Sequence, residues 1–430
     1  MLAVSAGIIC LLCACIPAAK VPKGVTVNGV EVGGMNRTNA AQKIREITES
    51  GLKGKTLEIR AQNKTYKFTF PEIYYKDDVY SILKNAQKGQ SYTAQTSLYL
   101  CGVNEIAAGI CLDERRLVVE PYAEFYPIGT PFKYFAGQDG VEVDKSKLIA
   151  DIKNSLSDGL KPVTVAYKGV KRQKALKEVR EQTRLLNSFT TYFDASNTNR
   201  ASNISLAASK LNGAVIESGQ VLSFNDIVGA RVAESGFLPA KIIEKGEFVE
   251  GVGGGVCQVS TTLYNAAILS GLEVVEYHPH SLAVGYVPPS RDAMVSGTVF
   301  DLKIKNNGKT PVCVRANAQN GSVTFKIYGA KDGNEYSFVS TVTGSVPAPE
   351  ELVDDPAKAR EGKDGLLSEG YLEITKNGYK KSVLIRKDKY APVKKLTCPN
   401  PPAVEQQDEG QPHQNAQNTV SFSAPARTLQ

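Results

Sequence analysis

The chain has no tryptophan, only three methionines and only three histidines (His278, His280 and His413) in 430 residues. Any chemistry that needs an imidazole near neutral pH must therefore use one of those three. No paired Cys-x-x-Cys spacing supports structural zinc. Beyond the first twenty residues no apolar run is long enough to span a membrane. With 42% hydrophobic and 22% charged residues, the composition excludes a disordered chain. At roughly 100–200 residues per domain, the length predicts a multi-domain protein.

What is present starts with the apolar segment Met1 to Ala19, and the first charged side chain is Lys20. It reads as a signal or membrane-anchor segment over residues 1–20, although the basic leader of a signal is missing. Leu12-Cys13-Ala14-Cys15 resembles a lipoprotein processing site, with Cys15 as the lipidated residue. The expected location is therefore the cell envelope, membrane-anchored or secreted. Of the 8 cysteines, Cys10, Cys13 and Cys15 lie in that segment, which leaves an odd remainder. Cys101 and Cys111 are spaced to close a local disulfide, and Cys257 is expected to be free.

Helical and alternating patterns mix along the chain, predicting an α+β fold throughout. A helix is expected over Asn39 to Ser50, with Thr38 as N-cap and Ala40, Ile44 and Ile47 on one face. Thr56 to Phe70 alternates as two strands, and helices are expected near Val79 to Gln87 and over Lys145 to Leu156. These define a small α+β domain at 55–167, followed by a charged helical linker, Lys171 to Leu186. The next domain, 187–330, carries a helix at Ile204 to Leu211 and the Gly-rich run before Cys257. A small β module follows at 349–397. Residues 398–430 carry no apolar period and are expected to be disordered, so His413 is discounted.

The chemistry concentrates around Gly251-Val-Gly-Gly-Gly-Val-Cys257-Gln258-Val-Ser260. Val259, Leu263, Ala266 and Ala267 recur at helical spacing, and Gly271 is a natural stop. Cys257 thus sits at a helix N-terminus, where unpaired N–H groups and the macrodipole favour a thiolate. Gly253, Gly254 and Gly255 let the backbone approach a ligand. Gln258 or nearby backbone amides are positioned for an oxyanion. Downstream come His278 and His280, an alternating stretch from Leu282 to Val287 that reads as a strand, and then Arg291-Asp292. Cys, His and Asp are the residue types of a nucleophile, a base and its orienting carboxylate. A metal on Cys257, His278 and His280 is the weaker alternative, and GVGGGVCQ lacks the Lys and Ser/Thr of a phosphate-binding loop.

The string GGGVCQVSTTLYNAAILSGLEVVEYHPHS, with YVPPSRDAMVSG and DLKIKNN after it, resembles the VanW family of bacterial envelope proteins. Asn197 to Arg200, Ala207-Ala208, Leu211-Asn212-Gly213 and Phe224-Asn225 extend the likeness over about 187–320. Tyr277 departs from it, standing where the family commonly has Arg. Phe132-Lys133, Asp139-Gly140 and Val143-Asp144 make 55–167 similar to the YoaR-like peptidoglycan-binding domain, and 349–397 resembles a small β domain of wall-associated proteins. A looser likeness joins Cys257, His280 and Asp292 to the transglutaminase-like cysteine hydrolases.

Two functions follow as expectations. One is an exported protein that associates with peptidoglycan or another cell-wall polymer, with the N-terminal segment in the membrane. The other is a cysteine-dependent amidase, peptidase or transpeptidase on wall peptide, with Cys257, His280 and Asp292 catalytic. Gly253, Gly254, Gly255, Gln258, Ser260, His278 and Arg291 are the candidate binding residues. No cofactor, metal or nucleic-acid partner is expected.

Overall fold

A computed structural model describes residues 19–399 apart from 245–246 and 298. The proposed anchor with Cys15, the greater part of the C-terminal tail and His413 lie outside the described residues. The chain is α+β and divides into two compact units, one made of residues up to Glu124 with Phe132–Arg180, the other of Phe125–Pro131 with Glu181 onward.

The first unit has two apolar clusters. Helix α1 (Arg37–Leu52) is capped by Asn36, whose Oδ1 accepts from the Asn39 N–H at 2.7 Å, so the cap lies two residues before the expected Thr38. Ala40 and Ile44 of α1 are buried with Val25, Val27, Val79 and Leu83, whereas Ile47 is exposed. The second cluster joins Leu57 and Ile59 of an antiparallel hairpin to Ile110 of α2 (Val103–Asp113) and to Leu148 and Ile152 of α3 (Lys145–Ser157). Its buried residues run from Leu57 to Val165. The local disulfide does not form, and Cys101 and Cys111 are both free thiols. The helical rise from Val103 to Cys111, about 12 Å, exceeds the roughly 7 Å between Cα atoms that a disulfide can bridge.

The second unit is built on an antiparallel sheet in which β1 (Arg184–Tyr192) pairs with β2 (Ser322–Gly329), and β2 with β3 (Val312–Gln319). Helices α4 (Thr198–Leu211) and α5 (Val256–Leu269) pack against it, with Ile204, Leu211, Val259, Leu263, Val314, Phe325 and Ile327 in one core. Gly271 follows α5 at φ +75, the left-handed conformation that ends a helix. A hairpin of β4 (Pro239–Glu244) and β5 (Glu247–Val252) delivers the chain to α5.

The C-terminal β module is larger than its sequence pattern suggests. It is a three-stranded antiparallel sheet of β6 (Glu335–Val346), β7 (Gly365–Lys376) and β8 (Tyr379–Tyr390), with β7 in the centre. Its Phe338 joins the same core as α5. Leu282 to Val287 does not form a strand. Pro279 and Pro288-Pro289 bracket it, and among the described residues no strand pairs with it, so its alternation has no ladder to join.

Candidate active site

Helix α5 is buried along nearly its whole length, yet it carries Ser260, Thr261, Thr262 and Asn265 at or near zero exposure. Buried polar groups need partners, and three of these grip the segment around Asp292. Ser260 Oγ donates to the Ala293 carbonyl at 2.6 Å, and Thr261 Oγ1 accepts from the Ala293 N–H at 3.0 Å. Asn265 Nδ2 donates to the Arg291 carbonyl at 2.7 Å, while its Oδ1 accepts from Arg291 Nε at 2.8 Å. Both backbone neighbours of Asp292 are thereby fixed to the helix whose first turn holds Cys257.

His280 lies beyond β9 (Glu273–Glu276) on irregular chain, not on a strand. It is 5% exposed, and Asp292 is 1% exposed. Asp292 Oδ2 accepts from His280 Nδ1 and from the His280 backbone N–H, each at 2.7 Å. That leaves Nε2 as the ring nitrogen free to interact with the Cys257 sulfur. Burial works against the imidazolium, but the bonds to Asp292 and Cys257 push the His280 pKa up to about 9. Burial raises the Cys257 thiol, and the hydrogen bond and charge of His280, aided by Arg231, bring it below its ordinary value. As a neutral thiol, Cys257 Sγ donates to the Val295 carbonyl at 3.3 Å. Taken as a whole residue, Cys257 is partly buried.

Two groups that local sequence patterns did not reveal complete the arrangement. Tyr390 of β8 donates to Asp292 Oδ1 at 2.6 Å and accepts from the Ser290 N–H at 2.7 Å. Arg386, also on β8, donates to the Asp292 carbonyl at 2.7 Å, lies 3.3 Å from its Oδ1, and pairs with Asp388 at 2.6 Å. Burial also raises the Asp292 carboxyl, but His280, Arg386 and Tyr390 hold it below the usual carboxylate range. Gly370 makes room for this pairing, because a Cβ there would lie 2.8 Å from Arg386 Cγ. Tyr277, at the position where the resemblance calls for Arg, puts its ring 4.6 Å from the Arg386 guanidinium. A cation thus occupies the neighbourhood from another strand. The polar run inside an apolar helix was the one legible signal of this network.

The structure brings Cys257, His280 and Asp292 together and gives the remaining candidates other work. Gln258 is buried, with Nε2 donating to Thr191 Oγ1 and the Tyr192 carbonyl, both at 2.9 Å, and Oε1 accepting from Arg200 at 2.6 Å. His278 Nε2 faces Glu276 Oε1 at 3.1 Å, and its ring lies against Phe300. Arg291 sits over the rings of Phe189 and Phe338. At the three glycines the Cβ space is already filled by protein atoms. A Cβ would lie 2.9 Å from Arg231 at Gly253, 2.6 Å from the Lys241 carbonyl at Gly254, and 2.9 Å from Ile204 at Gly255. The run therefore admits close packing around the nucleophile. Among the described residues, no three His, Cys, Asp or Glu side chains are placed to hold a metal. The cavity of about 470 Å³ lined by Pro127, Asn212, Arg315 and Lys326 contains none of the three reactive residues.

The family model described as VanW like protein matches residues 199–328. Uncharacterized protein YoaR of Bacillus subtilis is 43% identical over 148 residues, which is 34% of this chain and 49% of that protein. Vancomycin B-type resistance protein VanW of Enterococcus faecalis is 28% identical over 114 residues, 25% of this chain and 42% of that protein. The chain spans about half the length of the curated relatives it matches. No solved structure matches it. Residues 199–328 are thus a VanW-like domain, and they carry Cys257, His280 and Asp292.

Proposed function

We propose that the protein is an exported cell-envelope enzyme that associates with peptidoglycan and uses Cys257 for acyl transfer on wall peptide. The observation that carries the chemistry is the chain of contacts from Cys257 through His280 to the buried Asp292. Envelope location and a peptidoglycan partner rest on the VanW resemblance and the apolar N-terminal segment.

In the first step the Cys257 thiolate attacks the scissile carbonyl carbon, forming a C–S bond and moving the carbonyl π pair to oxygen. The Cys257 backbone N–H lies in the first turn of α5, where no intrahelical carbonyl reaches, and it faces that developing charge. His280 Nε2 gives its proton to the leaving amine as the C–N bond breaks, leaving a thioester. In the second step His280 takes a proton from the incoming nucleophile, which attacks the thioester and releases the thiolate. Water gives hydrolysis, and an amine from a second peptide gives transpeptidation. Asp292 keeps Nδ1 protonated and so holds the ring in the productive tautomer.

The test is incubation of the protein with purified peptidoglycan, followed by mass spectrometry of stem peptides. Released or newly joined peptides are expected with the native protein and absent with Cys257→Ser. If the protein sediments with peptidoglycan but changes no peptide, and Cys257 takes no thiol-directed probe at neutral pH, a binding role replaces the enzymatic one.

A further inference from the structure

The space around Cys257 is flanked by two arginines that the acyl-transfer mechanism does not use. The missing Cβ atoms of the glycine run locate them. A Cβ on Gly253 would meet Arg231 Cβ at 2.9 Å, and one on Gly255 would meet Arg200 Cγ at 3.0 Å. Arg200 then reaches Gln258, the residue after the nucleophile, at 2.6 Å. Arg231 donates to Asn225 Oδ1 and lies 3.4 Å from the Gly297 carbonyl. Both side chains are half-buried. Among the described residues, neither has a carboxylate within ion-pair distance. Asp301 is the acidic group that acts on Arg231; it makes no ion pair with it, and its carboxylate, hydrogen-bonded to Ser223 Oγ and the Asn225 and Leu302 N–H groups, keeps its negative charge. Both guanidinium charges interact with Cys257, and burial makes each costly to leave uncompensated.

With Asp301 acting on Arg231, the guanidinium of Arg200 is the one with no carboxylate acting on it. The imidazolium of His280 is matched by Asp292, so the thiolate faces Arg200 and an Arg231 that Asp301 compensates without an ion pair. Once the thiol is acylated, the thiolate charge is gone. Guanidinium geometry suits a carboxylate, which accepts two parallel N–H bonds. We propose that Arg200 and Arg231 form a subsite for a substrate carboxylate beside Cys257, so that the substrate is a peptide with a free carboxylate close to the scissile carbonyl. This rests on Cys257 being the nucleophile and adds the substrate class.

Two small alkylating reagents separate the possibilities, because both displace iodide at the thiolate and differ only in charge. Iodoacetamide is neutral and normally reacts faster with a free thiolate than iodoacetate does. Modification is followed at the Cys257 peptide by mass spectrometry, which sets aside Cys101, Cys111 and Cys398. Iodoacetate is expected to react faster than iodoacetamide at Cys257, with a rate that saturates. Arg231→Gln and Arg200→Gln are each expected to lower the iodoacetate rate about tenfold relative to iodoacetamide, and Arg231→Lys to keep most of the preference. If iodoacetate shows no advantage, or if both rates fall in parallel in the variants, the arginines serve only the thiolate and the subsite is refuted. A Cys257 inert to both reagents refutes the nucleophile itself and the subsite with it.

Discussion

The balance at Cys257 is between burial, which favours the thiol, and His280, which favours the thiolate. Because the net shift is downward, the thiolate persists to lower pH than that of an ordinary thiol. Alkylation of Cys257 should therefore keep a larger share of its pH 9 rate at pH 7 than an ordinary thiol with a pKa of about 8.5 does. His280→Gln removes the stabilising charge and leaves burial dominant. The neutral-pH rate is then expected to fall about tenfold for each unit the thiol rises, and a pH–rate profile of the variant measures it. Gly255 has the more rigid requirement. At φ +104, with Ile204 and Arg200 in its Cβ space, Gly255→Ala should destabilise the protein by about 1–3 kcal/mol or more, readable by denaturant titration.

At the scale of elements, the site is a helix terminus, a loop and a strand. The helix was legible because its apolar period and the glycines before it are local signals, and Cys257 follows from them. The position of His280 was legible by residue type, but the alternation after it suggested a strand that does not form. Alternation signals a strand only where a neighbour supplies the ladder, and among the described residues no strand pairs with this stretch. Arg386 and Tyr390 were not legible at all, since nothing near Asp292 in the chain shows that β8 will lie beside it. Their effect can be measured. Tyr390→Phe removes the hydrogen bond to the buried Asp292 carboxylate and the acceptor of the Ser290 N–H, about 1–3 kcal/mol of stability for each buried group left unpaired, and should reduce Cys257 alkylation at neutral pH. Arg386→Met leaves the buried Asp388 without the cation it pairs with and Asp292 with the His280 cation alone, and should cost about 3–5 kcal/mol. Thermal unfolding monitored alongside alkylation separates loss of fold from loss of reactivity.

At the scale of the molecule, the boundary of sequence similarity and the boundary of the site differ. The VanW-like segment ends at 328, but the carboxylate it contributes is held by a sheet that begins at Glu335. The second unit accordingly includes both. Ser290 Oγ meets Ser368 Oγ at 2.7 Å, and the Ala391 N–H reaches the Ser281 carbonyl at 2.7 Å, so the two segments share several buried bonds. Hydrogen exchange should report this: Tyr390→Phe is expected to speed exchange across 288–293 and β8 together, and to leave α1 and α3 of the first unit unchanged. Exchange confined to β8 would mean that the two segments open independently.

The polar side chains of α5 carry one more consequence. Ser260, Thr261 and Asn265 attach the Asp292 loop to the same helix whose first turn holds Cys257. Nucleophile and carboxylate are therefore mounted on one rigid bar. When the unit breathes, both ends shift in common, and the spacing into which the imidazole fits is preserved. Such a mounting tolerates thermal agitation of the surrounding loops without detuning the proton path.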